Sequence, residues 1–206
     1  GGYLEVDAGG TATGTQVSSA GILELTDGGV ASGTTLTNSA TLYAGSGATA
    51  VGTIVQDGAS LQVQQGGSAS GTVQQGGTTT IFAGASATDT TVTGGALNLV
   101  ESGTATGLTV GSNGTVTVAS SATVVNATVT SGGVVSVSGT LSGASVSDGE
   151  VDVYSGGTVS AASVSDGGSV FVEDGGASVS ASVGSGGYLE VDAGGTATGT
   201  QVSSAG

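Results

Sequence analysis

The side chains of this chain that could do acid–base or ligand chemistry are its fifteen carboxylates, nine Asp and six Glu. Several stand in pairs: Glu5 and Asp7, Glu150 and Asp152, Glu173 and Asp174. Two carboxylates flanking a glycosidic bond are the machinery of most glycosidases. Here apolar alternation around each pair assigns it to an outward strand face or a turn, where it is solvated surface. The six aromatic residues, Tyr3, Tyr43, Phe82, Tyr154, Phe171 and Tyr188, are too scattered to predict a sugar platform. The sequence reads as that of a non-enzyme with no catalytic residues and no cofactor.

Metal and hydroxyl chemistry come next. Asp precedes Gly in Asp27-Gly28, Asp57-Gly58, Asp166-Gly167 and Asp174-Gly175, and such turns could hold a hard cation through oxygen ligands. Neither an EF-hand loop nor the G-G-x-G-x-D nonapeptide is present. The four Asp are therefore turn residues first, bonding their own backbone, with weak Ca²⁺ association as a secondary expectation. Hydroxyls recur in pairs: Thr11/Thr13, Ser68/Ser70, Ser86/Thr88 and Thr104/Thr106, interrupted by Val30/Ser32 and Thr49/Val51. Stacked, they would form a flat hydroxyl-and-methyl array of the kind ice-binding surfaces use, although Ser and Thr are also ordinary on a solvated sheet.

Composition removes most other chemistry. There is no Lys, Arg, His, Cys, Met, Trp or Pro, and the formal charge is −15. Ser-His and Cys-His nucleophiles are excluded, as are disulfides and thiolate metal sites. Nothing would hold a phosphate backbone, so no nucleic acid is expected as a partner. No apolar run reaches the about 18 residues of a membrane-spanning helix. With neither signal peptide nor initiator Met, the chain reads as an excerpt of a longer one. Gly makes up 43 of 206 residues, yet the apolar share is 36%, at regular intervals, which argues against disorder.

The elements that must position these groups come from repetition. Gly1–Gly21 recurs unchanged at Gly186–Gly206, an offset of 185 residues. We read residues 1–206 as one continuous body, a tandem unit (1–185) plus a 21-residue overlap (186–206). Inside the unit runs a period of 19: residues 2–20, 21–39 and 40–58 align without gaps. Further copies start near Ala59, Gly77, Gly95, Gly114, Gly133, Gly149 and Gly168, with lengths of 16–19. The shortest, near 133–148, must lose part of a turn.

Columns in this alignment define the core. One holds Leu4, Leu23, Leu61 and Leu97, another Val6, Leu25, Val63 and Leu99, and their period of two is that of a half-buried strand. Thr79 is polar in the first of these columns and needs a backbone partner if buried. A third column holds Val17, Leu36 and Val55, continued by Val73 and Val92. A fourth is mostly Ala, from Ala12 to Ala105, which lets the opposite wall approach. Gly corners separate the strands, and helix is disfavoured by Gly at about 1 kcal/mol each. These features predict an all-β, single-stranded parallel β-solenoid of about 10–11 rungs, each rising about 4.8 Å.

The unit G-x-L-x-V-x-D-G-G-x-A-x-G-T-x-V, cleanest at Gly21–Leu36, resembles the 19-residue repeats of AIDA-type self-associating autotransporter passengers. That resemblance implies a right-handed β-helix on the outer surface of Gram-negative bacteria, with adhesion, autoaggregation and biofilm formation. It also implies O-glycosylation of repeat Ser and Thr in some members. An identical 185-residue super-repeat and the lack of Lys and Arg depart from such passengers and fit a giant repetitive surface fibre using the same rung. The expected function is a structural, acidic, extracellular rod whose partner is itself, end to end or laterally, or a host or matrix surface. A self-associating adhesin and an ice-binding solenoid are the alternatives.

Overall fold

The computed structural model describes residues 1–204. The last two residues of the 186–206 overlap, Ala205 and Gly206, lie outside the described residues. All regular elements among the described residues are β-strands, thirty-one in number, wound into a parallel solenoid of about eleven rungs. The second rung is typical, with strands Ile22–Leu25, Val30–Ser32 and Thr35–Leu36. Each strand pairs in parallel with its equivalent one rung away: Leu4 lies opposite Leu23, Leu23 opposite Leu42, and Leu42 opposite Leu61. Residues one repeat apart in sequence are thus direct neighbours in space. No helix is long and apolar enough to cross a membrane.

Each strand forms because its residues alternate between core and solvent, and β-branched Val and Thr suit the pleat. Leu23, Leu25, Leu36, Leu61, Val63, Leu97 and Leu99 are all buried. Leu4 is the exception to the core expected from sequence, at 45% exposure. It sits in the first rung, with Leu23 covering one side and nothing covering the other. Val6 and Val17 in that rung remain buried.

Core volume is balanced across the rung. Where the first strand supplies Leu23/Leu25 or Leu97/Leu99, the facing strand supplies Ala31 or Ala105. Where it supplies Val116/Val118 or Val135/Val137, the facing strand supplies Val124 or Leu141. In these rungs a smaller side chain on one wall is answered by a larger one on the other, which keeps the interior filled. The rungs with Leu42/Ala44 facing Ala50 and Val170/Val172 facing Ser178 do not compensate in this way.

The third core column differs from expectation at one place. Val73 pairs with Ile54 on the outward side, and Gln74 takes the core position opposite Val55 and Val92. This rung is one residue short, and the deletion falls in the corner after the strand rather than before it. The strands Val73–Ile81 and Thr91–Leu99 run continuously through that corner and pair with register shifts there. Matching apolar residues therefore selected Val73 one position too early. The Gln74 amide donates to the Gly77 carbonyl at 3.2 Å, across the shortened corner, while its Oε1 has no partner. The 16-residue rung loses residues mainly at its first corner, where Val134–Val137 is followed almost directly by Thr140–Ser142.

One corner needs a left-handed backbone in every rung. Gly14, Gly33, Gly52, Gly71 and Gly107 occupy it with φ of 61–70°, and Asp89, Asn126, Ala161 and Ser180 adopt φ of 52–57° at the same place. Asp and Asn tolerate this conformation, but Ala gains nothing from it. Beyond the corner, Thr34, Thr53, Thr72 and Thr90 form a buried column whose hydroxyls have no hydrogen-bond partner. Thr79 is likewise buried and lacks the backbone partner expected for it.

Two substitutions check this packing. Val63→Asp places an unpaired charge in a closed column and costs several kcal/mol, which abolishes the cooperative melting transition. Thr53→Val preserves shape and removes an unpartnered hydroxyl. It raises stability by about 1 kcal/mol, read as a higher urea midpoint at unchanged slope.

Candidate interaction faces

Because side chains alternate along each strand, every rung turns two outward positions toward solvent from each of its longer strands. Stacking converts these into columns and the columns into three faces. The first face carries the chain's strand-borne carboxylates and most of its rings: Tyr3/Glu5, Glu24, Tyr43, Glu150/Asp152, Phe171 and Tyr188/Glu190. In its middle rungs it is Ser, Thr, Gln and Asn.

The acids on this face interact locally. The Tyr3 hydroxyl donates to Glu24 Oε2 at 2.6 Å, and Tyr188 donates to Glu190 at 2.8 Å. The first bond, helped by slight desolvation and the Glu24 and Glu5 charges, holds the Tyr3 phenol up to about 12. Tyr188 is raised in the same way by Glu190. Phe171 and Tyr188 meet in a tilted pair, centroids 5.9 Å apart. Asp152 is pushed above the ordinary carboxylate range, first by partial burial and then by Glu150 and Glu173. Glu150 and Asp152 lie on the outward side of one strand, as alternation requires.

The four Asp considered for calcium are spread over two corners and four rungs. Asp27 and Asp174 follow first strands, while Asp57 and Asp166 follow third strands. Asp27 and Asp166 are themselves left-handed, with φ of 46° and 49°, which is turn behaviour. Among the described residues no three carboxylates converge on a common point. Stacking does bring Asp148 beside Asp166, whose carbonyl accepts from the Asp148 amide at 3.1 Å. That juxtaposition follows from the rung length and was not singled out in sequence.

The second face is the outer side of an eleven-stranded sheet built from Thr11–Thr13, Val30–Ser32, Thr49–Val51, Ser68–Ser70 and their successors up to Thr196–Thr198. The hydroxyl pairs anticipated from sequence lie here in one array. Some are tied down: Thr49 Oγ1 and Ser68 Oγ are 3.1 Å apart, and Thr104 Oγ1 donates to the Ala85 carbonyl at 3.3 Å. The third face, from Gln16–Val17 to Gln201–Val202, presents Thr, Ser and Gln, interrupted by the neighbouring Ile54 and Val73. Neither of these two faces carries a single Asp or Glu. All fifteen carboxylates lie on the first face or at the corners.

Comparison with known proteins fits this geometry. No protein-family model matches the chain, and no curated protein matches it. Among solved structures, the chain is similar to a TibA fragment crystallised in a form hyper-glycosylated by TibC. The TM-score is 0.76 at 28% identity, covering 98% of this chain and 82% of that one. This likeness supports the resemblance to AIDA-type passenger repeats.

The raised Asp152 has a definite pH signature. Its carboxyl binds a proton more readily folded than unfolded, so its penalty is present at neutral pH and is relieved as pH falls through the raised value. Asp152→Asn therefore raises the melting temperature at neutral pH, and the gain vanishes in acid once the carboxyl is protonated in both states.

Proposed function

We propose that the chain is a repeat region of a bacterial cell-surface or extracellular adhesin. In this reading it is a rigid acidic rod that associates with itself laterally through its uncharged second face. The observation that carries the reading is the segregation of charge. A chain of net charge −15 repels its own copies, and the repulsion is weakest where two copies meet through surfaces without carboxylates. The second face is also a regular, in-register array of hydroxyls and methyls, so two copies can match over many rungs at once. End-to-end contact between open rungs, whose backbone groups are unpaired, is the other route to a fibre.

Two features accompany this reading. Ca²⁺ and Mg²⁺ associate weakly with the corner carboxylates Asp27, Asp57, Asp166 and Asp174 and screen the repulsion, so either ion promotes association. The TibA fragment is hyper-glycosylated by TibC, and the outward Ser and Thr columns here are acceptors of the same chemical kind. The intact surface protein places this rod between cells, or between a cell and its matrix.

The test is a matched pair of charge insertions. Thr88→Asp with Thr106→Asp on the second face stops cell clumping and lateral pairing seen by electron microscopy. Asn98→Asp with Thr117→Asp, likewise direct neighbours but on the first face, leaves both unchanged. Equal loss in both variants would show that net charge alone sets the behaviour. Thermal hysteresis of ice growth, abolished by the second-face pair without any clumping phenotype, would favour the ice-binding alternative.

A further inference from the structure

We propose that the first corner of the third to fifth rungs is a binding site for a neutral saccharide. Ser46, Gln64, Gln65, Phe82 and Ala83 line a groove of about 480 Å³ there, within the range of about 300–1,000 Å³ common for small-ligand sites. These residues come from three successive rungs and meet only because rungs stack. Phe82 is 37% exposed, a large ring at a corner position where Tyr154 is the other ring and Val100 follows in the next rung. An aromatic ring beside hydrogen-bonding side chains suits a sugar, whose C–H face packs on the ring while its rim hydroxyls seek donors and acceptors. Gln64 and Gln65 supply both, since each amide is donor and acceptor at once. Neither makes an intramolecular side-chain hydrogen bond among the described residues.

The backbone beneath is fixed. Phe82 N donates to the Val63 carbonyl at 2.9 Å, Gln64 N to the Ala44 carbonyl at 2.9 Å, and Gly67 N to the Gln64 carbonyl at 2.8 Å. The backbone of the site is thus set before any ligand arrives, which limits the ordering cost of binding to the side chains. Three rungs span about 10 Å, comparable to two sugar rings end to end.

Charge selects the ligand class. No carboxylate lines the groove. Asp27 lies one rung before Ser46, and Glu101 one rung after Ala83. No cation exists anywhere among the side chains to pair with an acidic sugar. Uronic or sialic acids are therefore disfavoured, and neutral hexose chains are not. Tyr154 provides an internal contrast. It holds the corner position of Phe82 in another rung, but Ser138 precedes it and Glu173 follows it in the column, with no Gln pair. The site is separate from the uncharged second face, so failure of lateral pairing would leave it untouched.

The test is an NMR titration of the 206-residue chain with gluco-, manno- and galacto-oligosaccharides of short length, and with oligogalacturonides as the acidic contrast. At least one neutral series shifts the Phe82 ring and the Gln64 and Gln65 side-chain amides, with affinity in the millimolar range. Phe82→Ala weakens that binding about tenfold. Phe82→Leu, which keeps apolar bulk but no flat ring, also weakens it, and Tyr154→Ala does not. Melting temperatures of the variants separate lost binding from lost folding. The proposal is overturned if no neutral sugar perturbs these resonances, if galacturonides bind there equally well, or if folded Phe82 variants keep full affinity.

Discussion

Every feature of this molecule depends on one constraint: the residue that a side chain touches along the axis is its own equivalent one rung on. Parallel in-register pairing enforces this from Leu4–Leu23 through to Val183–Val202. Apolar residues then stack in columns, and a polar residue that enters such a column, as Thr79 and Gln74 do, meets apolar neighbours above and below. Gln74 between Val55 and Val92 shows the cost of an exception, since only one end of its amide finds a partner. The same constraint applies outside. A carboxylate stacked on a carboxylate sits at about 4.8 Å. Glu5 and Glu24 are such a pair, sharing the Tyr3 hydroxyl's neighbourhood. The other strand-borne acids of the first face have Ser, Val or rings beside them along their columns.

Variation is confined to places where the ladder permits it. Residues are lost at corners, in the rungs near Gln75–Gly77 and Ser138–Gly139, and the strands on either side keep their pairing. Size changes within the core occur in compensating sets in several rungs, Leu with Ala at Leu23, Leu25 and Ala31, and Val with Val or Leu at Val116/Val124 and Val135/Leu141. A solenoid can thus diverge in sequence while its cross-section, and therefore its ability to stack, stays constant.

Much of this was legible from sequence because the period is short and the signal repeats about ten times. The strand columns, the glycine corners and the parallel architecture all follow from the 19-residue spacing. What was not legible has physical causes. Val73 and Gln74 were exchanged because a one-residue deletion can be placed on either side of a strand, and hydropathy favours the side that buries Val. Leu4 belongs to the core column by pattern, but an end rung has only one neighbour. The groove at Phe82 joins Ser46, Gln64 and Gln65 across three rungs, and at corners the residue types vary too much for a column to stand out. The absence of acids from two faces was visible in the alignment, yet it acquires meaning only when strands are assigned to faces.

The strands lie across the solenoid, with their hydrogen bonds pointing along its axis, and this has a mechanical consequence. Tension applied to the two ends loads those bonds one rung at a time, as in opening a zipper, rather than all together in shear. Each rung that opens replaces about 4.8 Å of solenoid with roughly 60 Å of extended chain. A solenoid wound this way yields gradually under tension and lengthens more than about tenfold before its covalent backbone carries the load. It can then rewind, rung on rung, from whatever part remains folded.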